Sequence, residues 1–170
     1  MASLMEDLLE VLGKEEAEYQ VLVELANEKK DAVIKGDIAK LTDITTREQE
    51  EAGVLLNLSN RRSQALSDMA IVLGKNPEEL TITKMIGYLE NQPKEQEALK
   101  QQRDRLLEVG GKMRALNQQN EVLLAQALEM VEFDLTLLKS MRQAPETANY
   151  DRNANTTGDI LGGSGFDARQ

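Results

Sequence analysis

Histidine, cysteine and tryptophan are all missing from the 170 residues. Histidine is the commonest general acid–base residue and metal ligand, so its absence removes the usual machinery of hydrolytic and metal catalysis. Without cysteine there is no thiolate nucleophile and no disulfide framework. A zinc site would have to rest on carboxylates alone. A carboxylate di-metal centre in a helical bundle normally uses Glu-x-x-His, which this chain cannot supply. Neither GxGxxG nor GxxxxGK[ST] occurs. The expectation is a protein that is not an enzyme and holds no metal or cofactor.

Aromatic residues are also scarce, at 3%, while apolar residues reach 41%. Sheets draw on β-branched and aromatic side chains for their half-buried surfaces, whereas helical bundles can be filled with Leu and Ala. The balance leans helical. No apolar run approaches the roughly 20 residues needed to cross a bilayer. The opening residues Met1 to Asp7 show neither the basic nor the apolar region of a secretory signal. With no cysteine to protect, the chain fits a reducing cytosol, and a cytoplasmic location without membrane insertion is expected. The net charge of −10 and a pI near 4.6 disfavour nucleic acid, which needs clustered Lys and Arg. An acidic balance keeps a chain with a sticky surface self-repelling.

Apolar positions repeat at helical spacing through most of the chain. Leu4, Leu8, Val11, Leu12, Tyr19, Leu22, Leu25, Ala26 and Val33 share one face of a helix predicted over residues 3–35. Ser3 with Glu6 reads as a capping box at its start. Gly36 suits a left-handed stop and Asp37 an N-cap, so a second helix over 38–73 should return antiparallel. Its seam runs Leu41, Ile44, Glu48, Ala52, Leu55, Leu58, Arg62, Ala65, Met69, Val72, the three–four alternation of a coiled coil. Gly74 and Pro77 close it. A short helix is expected over 81–90, capped by Thr81 or Thr83. Pro93 opens a last helix to 143, about 75 Å long at 1.5 Å per residue. The first two helices span only about 50 to 55 Å by the same rise, so the last one overhangs them or bends at Gly110-Gly111. The fold expected is an all-α, elongated antiparallel bundle of three long helices and one short one over residues 1–143. Residues 144–170, rich in Gly, Asn, Thr, Asp and Ser, read as a flexible tail with isolated Tyr150, Ile160, Leu161 and Phe166.

Three groups of residues invite a role. Glu48 and Arg62 fall on the apolar seam of the second helix, where charges pair with another helix and set register. Asn117 and Asn120 suit the same register-setting task through side-chain hydrogen bonds, or a contact to a bound peptide. Leu123 to Met141 is the most informative stretch. Its apolar residues cover roughly 220° of the helix, where one packed face needs about 100°. Leu124, Leu128 and Leu135 lie on one flank, Met130, Phe133 and Leu137 on the other. Such an arc suits a helix packed between two others, or one with a flank open to an amphipathic helix of a partner. Ala127, Val131, Leu138 and Met141 complete this candidate surface, and the thioethers would adapt to varied shapes. A structural coiled-coil scaffold acting by self-association is the alternative to a protein-holding role.

The sequence also resembles the FlgN family of flagellar type III export chaperones. The resemblance runs through Glu16, Tyr19, Leu22, Lys29, Lys30, Val33, Gly36, Asp37 and Leu41, then Glu48, Leu55, Leu58 and Arg62. It resumes at Leu73-Gly74 and at Leu116-Asn117, Asn120-Glu121 and Leu123-Leu124, and covers residues 4–143. It implies a cytoplasmic chaperone that holds the C-terminal helical segment of hook-associated proteins, prevents their premature assembly, and delivers them to the cytosolic domain of the export gate. It places client binding on Leu123 through Met141 and matches Tyr150, by position, to a gate-docking tyrosine.

Overall fold

The computed structural model describes the backbone of residues 1–149 and the side chains as far as Arg142. Four helices follow in order: α1 (Ala2–Lys35), α2 (Ile38–Val72), α3 (Ile82–Tyr88) and α4 (Pro93–Asn149). There is no strand among the described residues, and the chain is all-α. Two compact units divide it, Met1–Leu124 and the chain from Ala125 onward. The composition change near Pro145 marks the end of the amphipathic pattern rather than of α4, which continues to Asn149 instead of stopping at residue 143. The expected flexible tail falls, from residue 150, outside the described residues.

Local chemistry sets most of the helix ends. Gly36 takes φ 67, ψ 28, a left-handed stop that glycine reaches without a Cβ clash. Asp37 then accepts a hydrogen bond from the Lys40 N–H at 3.1 Å and starts α2. Gly74 repeats the left-handed stop at φ 64, and the Lys75 N–H reaches back to the Ala70 carbonyl at 2.8 Å. Of the two threonines considered, Thr81 caps α3, accepting from the Lys84 N–H. Pro93 is the first residue of α4, where its missing N–H costs nothing. The capping box at Ser3 does not form. The ladder instead begins at the Met1 carbonyl, which accepts from the Met5 N–H at 3.0 Å. Met5 and Leu8 of this first part of α1 are buried in the core. Helix α4 runs through Gly110-Gly111 without interruption.

The first unit has two apolar centres. One gathers Met5, Leu8 and Leu12 of α1, Leu66 and Met69 of α2, Leu80 of the loop, Met85 of α3 and Leu99 of α4. The other, near the α1–α2 turn, holds Leu25, Ala32 and Ile44. At the first centre α2 meets α3 and α4 as well as α1, so Leu66 and Ala70 are buried beside the expected seam. Val72 and Ala52, expected on that seam, are exposed.

The α1–α2 seam also carries charge, between the two centres at Glu15 and within the second at Lys29. Glu15, 1% exposed, receives a hydrogen bond from Arg62 at 3.0 Å, and Lys29 donates to Glu48 at 3.0 Å. Both pairs cross the hairpin at the same register. Burial pushes the Glu15 carboxyl up, against the attraction and hydrogen bond of Arg62. Glu18 has no cation. One of its oxygens, Oε2, is buried and meets no donor. The Glu51 carboxyl lies within hydrogen-bonding reach, and two carboxylates can bond only by sharing a proton. That bond, then burial, then the charge of Glu51 raise Glu18 to about 7.

Both shifts are upward, so the folded chain binds these protons more tightly than the unfolded chain does. Their stabilising contribution is full below the ordinary carboxylate value of about 4.5 and is lost as pH rises toward 7. Melting temperature should therefore fall from pH 5 to pH 8, and Glu18→Gln, which mimics the protonated form, should flatten that slope. An unchanged slope in the variant would refute the shared proton. Arg62→Met, which strands the buried Glu15 charge, should cost about 2 to 3 kcal/mol in urea unfolding at pH 7, below a fully buried pair because Arg62 is part-exposed. The double variant Glu15→Leu/Arg62→Met should recover most of that loss.

Candidate protein-binding site

Within the first unit, α4 runs parallel to α1 and is joined to it by amide side chains. Gln102, buried, donates to the Glu16 carboxylate at 2.7 Å. Further along, Asn120, 4% exposed, donates through Nδ2 to the Ala26 carbonyl at 2.7 Å, while its Oδ1 is buried without a partner. A side-chain amide gripping a main-chain carbonyl fixes the relative height of the two helices in a way that Leu contacts cannot. Asn117, one turn earlier, is exposed and makes no such bond. Glu48 and Arg62 both face α1 and pair with it.

Asn117 borders a groove of about 600 Å³. Leu22 and Lys29 of α1 form its base, with Glu48, Ala52 and Leu55 of α2 on one side. Met113, Asn117 and Leu124 of α4 stand on the other. The apolar side chains share the lining with the Lys29–Glu48 pair and with Arg114 and Glu121 of α4, so the groove combines apolar contact with charge of both signs. Leu123 faces a second, shallower depression with Lys30, Ala115 and Val122. Leu123 and Leu124 therefore belong to the first unit, apart from the rest of the surface assigned to residues 123–141.

In the second unit α4 continues from Ala125, and its apolar residues are open. Leu128, Val131, Leu135 and Leu138 are exposed on one flank, with Leu135 at 53%. On the other flank Met130, Phe133, Leu137 and Met141 are exposed as well, Met130 at 67% and Phe133 at 66%. Ala127 is half-buried. Among the described residues both flanks of this segment are exposed. Contiguous exposed apolar surface of this extent is uncommon on a monomeric soluble protein. Tyr150 lies outside the described residues.

Residue-type reasoning gave no pairing role to Glu15, Glu18, Lys29 and Gln102, which take part in the first unit's polar contacts. Glu15 and Glu18 follow Leu8 and Val11 at seven-residue spacing, and that was the available signal. No group of His, Cys, Asp and Glu among the described residues could hold a metal ion. No helix among them is long and apolar enough to cross a membrane.

The surface thus described can be set beside known proteins. No curated protein and no solved structure matches the chain. A family model described as FlgN protein matches residues 1–158, nearly its whole length. The chain belongs to the FlgN family, whose members are chaperones of flagellar protein export.

Proposed function

We propose that this protein is the cytoplasmic chaperone of a hook-associated protein, holding the client's C-terminal helical segment on the open helix of the second unit. The observation that carries the reading is the exposure of Leu128, Met130, Phe133, Leu135 and Leu137 together on one described helix. Amphipathic helical structure of the client would cover these side chains, and each one buried contributes about 1.5 to 3 kcal/mol before the costs of association. While so held, the client's own assembly surface is unavailable. Release then follows at the cytosolic domain of the export gate, with Tyr150 as the docking residue.

The full chain with Leu128, Phe133, Leu135 and Leu137 all changed to Gln should lose capture of the C-terminal segment of a hook-associated protein. Its circular dichroism and melting temperature should not move, because the four positions are exposed. Undiminished capture would overturn the reading. Tyr150→Ala should leave client capture intact and abolish binding of the client-loaded chaperone to the purified cytosolic gate domain. Equal gate binding by both forms would remove Tyr150 from that role.

A further inference from the structure

The open flanks of the second unit are two separate faces. At about 100° per residue, Leu128, Val131, Leu135 and Leu138 fall within an arc of roughly 80°. Met130, Phe133, Leu137 and Met141 fall within another arc of roughly 80°. Their centres are about 140° apart. Between them on the nearer side runs a ridge of Ala127 and Asp134, a small residue and a charged, exposed one. A single wide docking face would have no reason to carry a carboxylate along its midline.

We infer that this segment seats two amphipathic helices of one client at once, one on each face, and not a single helix. This rests on the client-holding reading above and specifies the form of the client. Two helices seated at interaxial distances of 8–10 Å and about 140° apart would have axes about 17 Å from each other. That exceeds contact distance, so the ridge between them stays wet and Asp134 stays hydrated. The geometry and the placement of the charge agree. From Leu128 to Met141 the seat is about 20 Å long, so each client helix needs about four turns. A connection across about 17 Å needs at least about five extended residues.

The charges define the client's chemistry further. Glu132 and Lys139 border the Leu/Val face and Glu129 the Met/Phe face, while Asp134 borders both. Lys139 is the one cation among residues 125–141. The helix on the Met/Phe face should therefore flank its apolar stripe with Lys or Arg, and the helix on the Leu/Val face with charges of both signs, since opposite charges beside a helical seam select the partner. The faces also differ in character. The Leu/Val face steps three–four–three, as a coiled-coil seam does, and favours a regular heptad. The Met/Phe face is adaptable and tolerates a less regular stripe.

The test uses the full chain, which has no native cysteine, and the C-terminal 100 residues of a hook-associated protein as probe. Leu128→Gln/Leu135→Gln and Phe133→Gln/Leu137→Gln are titrated separately, and single variants Leu135→Cys and Leu137→Cys carry a thiol-linked photocrosslinker. The expected result is a loss of affinity of at least about tenfold in each double variant, with the two crosslinkers labelling different helical segments of one probe molecule. Loss confined to one double variant, or both crosslinkers on the same segment, would overturn the two-helix seat while leaving the client-holding reading standing. Full affinity in both variants would overturn both. Crosslinks to a second copy of the chain in the loaded complex would assign one face to self-association and overturn the two-helix seat.

Discussion

Covering apolar surface along α4 is the constraint from which the rest of the structure follows. In the first unit the constraint is met internally: Leu99 is completely buried among α1, α2 and α3, and Leu106 packs against the same centre. In the second unit the same kinds of residue recur at the same helical spacing and are exposed. Leaving them exposed costs the fold little, because they are exposed in the unfolded chain too. The hazard is association with the wrong partner, and the net charge of −10 opposes it by keeping copies apart.

Within the first unit, polar contacts keep the helices from slipping. The α1–α2 hairpin is held at one register by Glu15–Arg62 and Lys29–Glu48, two charge pairs separated by fourteen residues along each helix. Slippage by one turn would strand the Glu15 charge in a place that excludes water. Asn120 does the corresponding work for α4 by bonding a main-chain carbonyl of α1. These polar contacts add modestly to stability and greatly to definition. The Glu18–Glu51 pair runs the other way, weakening the hairpin once its shared proton is lost.

How much of this could be read in the amino-acid sequence depended on whether the cause was local. Gly36, Asp37, Thr81 and Pro93 act through their own backbone, and the helix ends they mark lie where their chemistry predicts. Ser3 lies within the first turn of α1, which starts one residue before the expected cap. Leu66 and Ala70 were passed over, and Val72 misplaced, because a two-helix seam does not register a third neighbour. The same limit governed residues 123–141. Periodicity records how wide an apolar stripe is, while only the fold tells whether another helix covers it. The width was therefore legible and the openness of both flanks was not. Asn117 and Asn120, alike in sequence, parted for the same reason, one reaching α1 and the other facing the groove.

The central claim is that the open helix of the second unit, and not the groove of the first, holds the client. Hydrogen exchange of the full chain, alone and loaded with the C-terminal segment of a hook-associated protein, separates the two directly. Loading should slow amide exchange across Leu128 to Met141 by at least about tenfold and leave Ala52, Leu55 and Met113 unchanged. Slowed exchange confined to Ala52, Leu55 and Met113, with Leu128 to Met141 as fast as in the free chain, would contradict it.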